Sequence, residues 1–186
     1  MKKIISLFKR DYERTRLVFD EITPGAEWVA NGEGAPTVKV DGTCCMVRDG
    51  KLYKRHDVKK GKQAPEGFEP AQDPEPITGH WPGWLPVGDG PEDKYHREAH
   101  GARHNFPDCT CELIGPKIQG DPYGSPGHVL IQHGEMVLDP STPRTFEGLR
   151  DWLYGNYVEG IVWHRENGDM VKIKRKDFGY SWPIKL

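Results

Sequence analysis

Apolar and polar positions alternate with a period of two in most of the hydrophobic stretches of this chain. "TVKVDGTCCMVRDGKLYKRHDV" (37–58) reads as two alternating runs about a turn at "RDG" (48–50), which predicts a β-hairpin over residues 37–56, with Arg55 closing its second strand. "CTCELIG" is a strand that enters the turn-rich stretch "PKIQGDPYG", and "HVLIQHG" is another. "VEGIVWHRENGDMVKIKRKDF" predicts a second hairpin turning at "ENGD". Near the start, "IISLF" and "RLVFDEI" predict short strands, or one strand and a short helix, and "TPGAEW" predicts a turn. Helical spacing is clear in "TFEGLRDWLYG", where Phe146, Leu149, Trp152 and Leu153 share a face behind Thr145 as N-cap. The elements predict an α+β domain of antiparallel sheets with few helices.

A length of 186 residues suits one domain, residues 1–186, and no repeat or linker divides it. With 16 Pro and 22 Gly, the chain is too rich in helix breakers for a bundle. These residues are dense at about 59–107, read as an insertion carrying Trp81 and Trp84. Mean hydropathy is −0.74, and no run approaches the ~18 apolar residues of a membrane span. The basic start "MKKIISLFKRDYER" lacks a small-residue cleavage site, so a cytoplasmic protein without membrane contact is expected. A formal net charge of −2 gives no overall attraction to nucleic acid and leaves only a local basic surface for it.

Cysteines and histidines raise the question of metal. Cys44 and Cys45 are adjacent and point to opposite faces of a strand, whereas Cys109 and Cys111 share one. Zinc is conceivable, but reduced, packed cysteines are the expectation. His96, His100 and His104 would share a helical face, although Gly101 weakens that helix and surface histidines are the simpler reading.

The chemistry gathers elsewhere. Lys39 and Asp41 are two apart, as an ion pair or the start of an active site; Glu112 and Glu159 each open an apolar run; Lys172 and Lys174 alternate with Val171 and Ile173. Alone, each reads as a solvated polar face. Together, three cations on one sheet face suit a polyphosphate. A lysine crowded by cations has its ammonium form disfavoured and becomes a nucleophile. One glutamate could accept from a ribose hydroxyl and the other hold a divalent ion. There is no glycine-rich phosphate loop.

"KVDG" (39–42), "ELIG" (112–115), "EGIV" (159–162) and "KIK" (172–174) resemble, in order, motifs I, III, IV and V of the covalent nucleotidyltransferases. "KVDGTCC", "PGWLPV", "GDPYG", "HVLIQHG" and "WPI" extend the resemblance, over about residues 37–184, to the RNA 5′–3′ ligase family represented by the human RNA ligase. The resemblance implies an adenylation-domain fold and an ATP-dependent enzyme that uses Mg²⁺ (or Mn²⁺). It would join 5′-phosphate and 3′-hydroxyl RNA ends through lysyl-AMP and an adenylylated RNA end.

It implies Lys39 as nucleophile, with Lys172 and Lys174 on the α-phosphate, Glu112 on the ribose and Glu159 on the metal. Val38, Val162 and His133 would line the nucleotide, the last where relatives carry an aromatic. Arg55 would touch nucleotide or RNA. The basic stretches, with Lys59, Lys60, Lys62, Arg175 and Lys176, would track RNA. The chain stops soon after "KIK", so no OB-fold domain is expected. The alternatives are an inactive nucleotide- or RNA-binding protein of the same fold, a DNA end-joining ligase, or a metal-dependent structural module.

Overall fold

The computed structural model describes residues 4–76 and 78–184. In chain order the strands are β1 (Ile5–Ser6), β2 (Phe8–Arg10), β3 (Val18–Ile22), β4 (Ala35–Lys39), β5 (Thr43–Arg48), β6 (Lys51–Val58), β7 (Glu69–Pro70), β8 (Trp81–Pro86), β9 (Cys109–Ile114), β10 (Val129–Gln132), β11 (Gly160–His164) and β12 (Met170–Lys174). The helices are α1 (Glu27–Ala30), α2 (Lys94–Ala102) and α3 (Phe146–Gly155). The fold is α+β, mostly sheet. No helix among the described residues is long and apolar enough to cross a membrane. The chain divides into two compact units, one of residues 41–133 and one holding residues 4–40 and 134–184.

The 41–133 unit is built on a six-stranded antiparallel sheet, β10-β9-β5-β6-β8-β7. Its hairpin β5–β6 turns at Asp49 and Gly50, both with positive φ (51° and 68°), the type I′ geometry that matches strand twist. One sheet face packs Cys45, Val47, Leu52, Cys111, Leu113 and Leu130 against Ala99 of α2 and Phe106.

The other unit holds the sheet β1-β12-β11-β4 and the β2–β3 ribbon. The β1–β12 pair is parallel; β12, β11 and β4 run antiparallel. Leu149 and Leu153 of α3 pack on Ile161, Trp163, Val171 and Ile173, each such burial contributing about 1.5–3 kcal/mol. The Thr145 hydroxyl accepts from the Gly148 N–H at 3.3 Å and so caps α3 as its sequence predicts.

Four expectations are corrected. Residues 37–56 are not one hairpin: β4 belongs to a different sheet from β5 and β6. The strand alternation stops at Lys39 and does not reach Asp41. β6 runs on to Val58, so Arg55 lies inside it. The histidine-rich segment does form a helix, despite Gly101, but it buries His96 and ends before His104.

Candidate functional site

Lys39 (β4), Gly160 (β11) and Lys174 (β12) are register partners in one row across three strands. Thr37, Val162 and Lys172 form the next row but one on the same face. The opposite face carries Val38, Ile161 and Ile173, then Pro36, Trp163 and Val171, and is turned to the core under α3. Val38 is therefore corrected: its side chain lies on the other face from Lys39. Gly160 leaves the centre of the lysine row bare, because a Cβ there would lie 2.2 Å from the Ile173 carbonyl.

Glu159 immediately precedes β11. It is buried, with Oε2 2.5 Å from Lys39 Nζ. Burial, then the neighbouring charges of Lys39 and Lys174, push Lys172 down to about 8. Asp177, itself buried, accepts from the Lys174 N–H at 2.8 Å and is ion-paired with Arg10, so the lysine-bearing end of β12 is tied down. The Thr37 hydroxyl donates to the Val162 carbonyl at 3.0 Å and lies 3.1 Å from His164 Nε2. This face offers cations to an anion, a carboxylate beside Lys39, and an apolar Val162.

In the 41–133 unit, Glu112 pairs in register with Ile131 on one side and Cys44 on the other. His133 follows β10. Its N–H donates to the Thr110 carbonyl at 3.1 Å, its Nδ1 lies 2.8 Å from the Thr110 hydroxyl and its Nε2 3.1 Å from Glu112 Oε1. The ring is thus clamped at both nitrogens. Arg55 sits opposite Trp84, its guanidinium 5.2 Å from that ring and 3.8 Å from Asp57 Oδ1. The glycine of "KVDG" has a packing cause: a Cβ on Gly42 would lie 2.4 Å from the Leu113 carbonyl. The Asp41 N–H beside it donates to the Tyr123 hydroxyl at 2.7 Å.

The residues expected to meet RNA divide. Lys59, Lys60 and Lys62 are exposed after β6, and Lys176 is exposed after β12. Arg175 is corrected: it is 4% exposed, and its guanidinium donates to the carbonyls of Leu153, Asn156 and Ser181. Its role is to hold the end of α3, not to meet a ligand. The four cysteines make no disulfide. Cys45 and Cys111 face each other in the core, while Cys44 lies on the other face with Glu112. Thr110, Asp177 and Gly160 were not singled out from sequence, because their roles depend on strand register.

Against known proteins, the family model for RNA ligase 1 matches residues 100–186, a span that holds Glu112, His133, Glu159, Lys172 and Lys174. RNA ligase 1 of Pongo abelii is 29% identical, covering 80% of this chain and 68% of its own length. RNA ligase 1 of Danio rerio is 28% identical, with 95% of this chain and 77% of the relative covered. Over most of its length the chain is thus similar to proteins named RNA ligase 1. The two candidate groups are the lysine-bearing face of β4, β11 and β12 in one unit and the clamped Glu112–His133 pair in the other.

Proposed function

We propose that the protein is an ATP-dependent RNA ligase that works through a lysyl-AMP intermediate on Lys39, in an adenylation-type fold. The observation that carries this reading is the row of Lys39 and Lys174 about Gly160, with Lys172 two rows away on the same face and buried Glu159 held at 2.5 Å from Lys39 Nζ. Deprotonated Lys39 attacks the α-phosphorus of ATP. An N–P bond forms, the bond from the α-phosphorus to the bridging oxygen breaks, and pyrophosphate leaves. An RNA 5′-phosphate oxygen next takes the adenylyl group and restores the lysine. The RNA 3′-hydroxyl then attacks that 5′-phosphate and AMP leaves. Lys172 and Lys174 counter the charge gathering on the phosphoryl oxygens, Glu112 accepts from a ribose hydroxyl, and His133 and Val162 bear on the nucleotide. Arg55 and the exposed Lys59, Lys60, Lys62 and Lys176 serve the RNA.

The residues present suit a Mg²⁺ ion. Glu159 supplies carboxylate oxygen, the ligand such an ion prefers, and Mg²⁺ commonly takes one or two carboxylates together with phosphates. Bound there, it would neutralise phosphate charge. Incubation with α-labelled ATP and Mg²⁺ is expected to leave label on the denatured protein. RNA with 5′-phosphate and 3′-hydroxyl ends is then sealed, and RNA with 5′-hydroxyl ends is not. Absence of protein-bound label would sink the reading.

Lys172 sets a pH dependence. Its pKa is depressed to about 8, so its ammonium persists below that pH and is lost above it. An anionic phosphate binds the ammonium form. Affinity for a non-hydrolysable ATP analogue should therefore fall by about tenfold per pH unit above about 8. Lys172→Arg should flatten this profile, since guanidinium stays charged throughout. A profile that is unchanged in the variant would remove Lys172 from the phosphate.

A further inference from the structure

One group of side chains in the 41–133 unit is composed like a soft-metal site. The metal-ligating atoms of Cys44, Glu112 and His133 all lie within 4.8 Å of one another. The cause is register: Cys44 is directly opposite Glu112 across β5 and β9, and His133 follows β10 with its Nε2 3.1 Å from Glu112 Oε1. Thr110 adds what an isolated triad lacks. Its hydroxyl, 2.8 Å from Nδ1, can accept that nitrogen's proton, which leaves the Nε2 lone pair directed at the carboxylate. A partner on the second imidazole nitrogen is the usual means of fixing a ligand's tautomer and orientation. Cys44 is half-buried and not in a disulfide. Thiolate, imidazole and carboxylate with a fourth position for water is the donor set of an open tetrahedral zinc site.

We infer that Cys44, Glu112 and His133 form a binding site for Zn²⁺ whose occupation competes with ATP. Binding releases the Cys44 thiol proton to solvent, and the neutral His133 ring keeps its proton on Nδ1 toward Thr110 while the Nε2 lone pair bonds to the metal. No redox change is involved. A hard ion such as Mg²⁺ does not favour thiolate and imidazole, so this site is separate in kind from the one assigned to Glu159. The competition rests on the reading that Glu112 and His133 serve the nucleotide; the site itself does not.

The test has two arms. In the first, Co²⁺ is titrated into the purified, metal-stripped protein without nucleotide, and then displaced with Zn²⁺. A thiolate-to-cobalt absorption band is expected, lost in Cys44→Ser. Affinity should fall about 10–100-fold in Thr110→Val, which removes only the imidazole's support. Circular dichroism checks that both variants fold. A missing band, or one that persists in Cys44→Ser, overturns the site. In the second arm, self-adenylylation with Mg²⁺ is measured as Zn²⁺ rises. Wild type should show an increasing KM for ATP, and Cys44→Ser should resist it. Equal inhibition of both proteins overturns the competition. No adenylylation even in zinc-free buffer overturns the nucleotide reading instead, and leaves the band to decide the metal site.

Discussion

Lys39→Arg is expected to abolish self-adenylylation, by at least about 10⁴-fold, in a protein that still folds. Guanidinium stays protonated and cannot attack phosphorus, yet it can still pair with Glu159. Arginine is the better test than alanine for a reason that the sequence does not show. Glu159 is 8% exposed and lies 2.5 Å from Lys39 Nζ, so Lys39→Ala strands a carboxylate out of water. Breaking a buried pair costs about 3–5 kcal/mol, and the side-chain exposure of Lys39, 21%, brings this one toward the low end. Thermal unfolding should accordingly separate the variants, with arginine near wild type and alanine clearly below it. RNA that already carries a 5′-adenylyl group bypasses the lysine, so Lys39→Arg should retain sealing of that substrate. Mapping protein-bound AMP to another lysine would overturn the assignment.

Much of this was legible in the chain. The spacing of Lys172 and Lys174 about Val171 and Ile173 places both lysines on the face away from the core, and Leu149 and Leu153 announce the helix beneath it. Local signals sufficed there, because each turns on a period or a cap. What was not legible depends on pairing between distant residues. The strand before "DGTCC" leaves the hairpin for another sheet, and nothing local distinguishes a strand that pairs with its neighbour from one that pairs with Gly160–His164. Arg175 sits in a run of cations that reads as an RNA surface. The strand ends at Lys174 and a 3₁₀ turn follows, which carries that guanidinium inward onto the end of α3. The Cys44–Glu112 juxtaposition is likewise a register fact, invisible in a sequence where the two are far apart.

Glu159→Ala should lower self-adenylylation by at least about 10³-fold, and raising Mg²⁺ or Mn²⁺ should not restore it. Two effects combine. The side chain removed is the carboxylate assigned to the divalent ion, and electrostatic stabilisation by one well-placed group is worth about 10²–10³-fold. It is also the partner of Lys39 Nζ, so its loss frees the Lys39 side chain to move away from its present place. Glu159→Gln separates the two. The amide keeps the shape and an oxygen for the lysine to donate to, but gives up the charge that a hard cation requires. If metal binding dominates, glutamine is as poor as alanine and both need far more Mn²⁺ for any residual label. If positioning of Lys39 dominates, glutamine recovers much of the rate and the metal dependence stays that of wild type. Full activity in Glu159→Ala would remove the residue from the chemistry, and the contact with Lys39 would then be a structural ion pair.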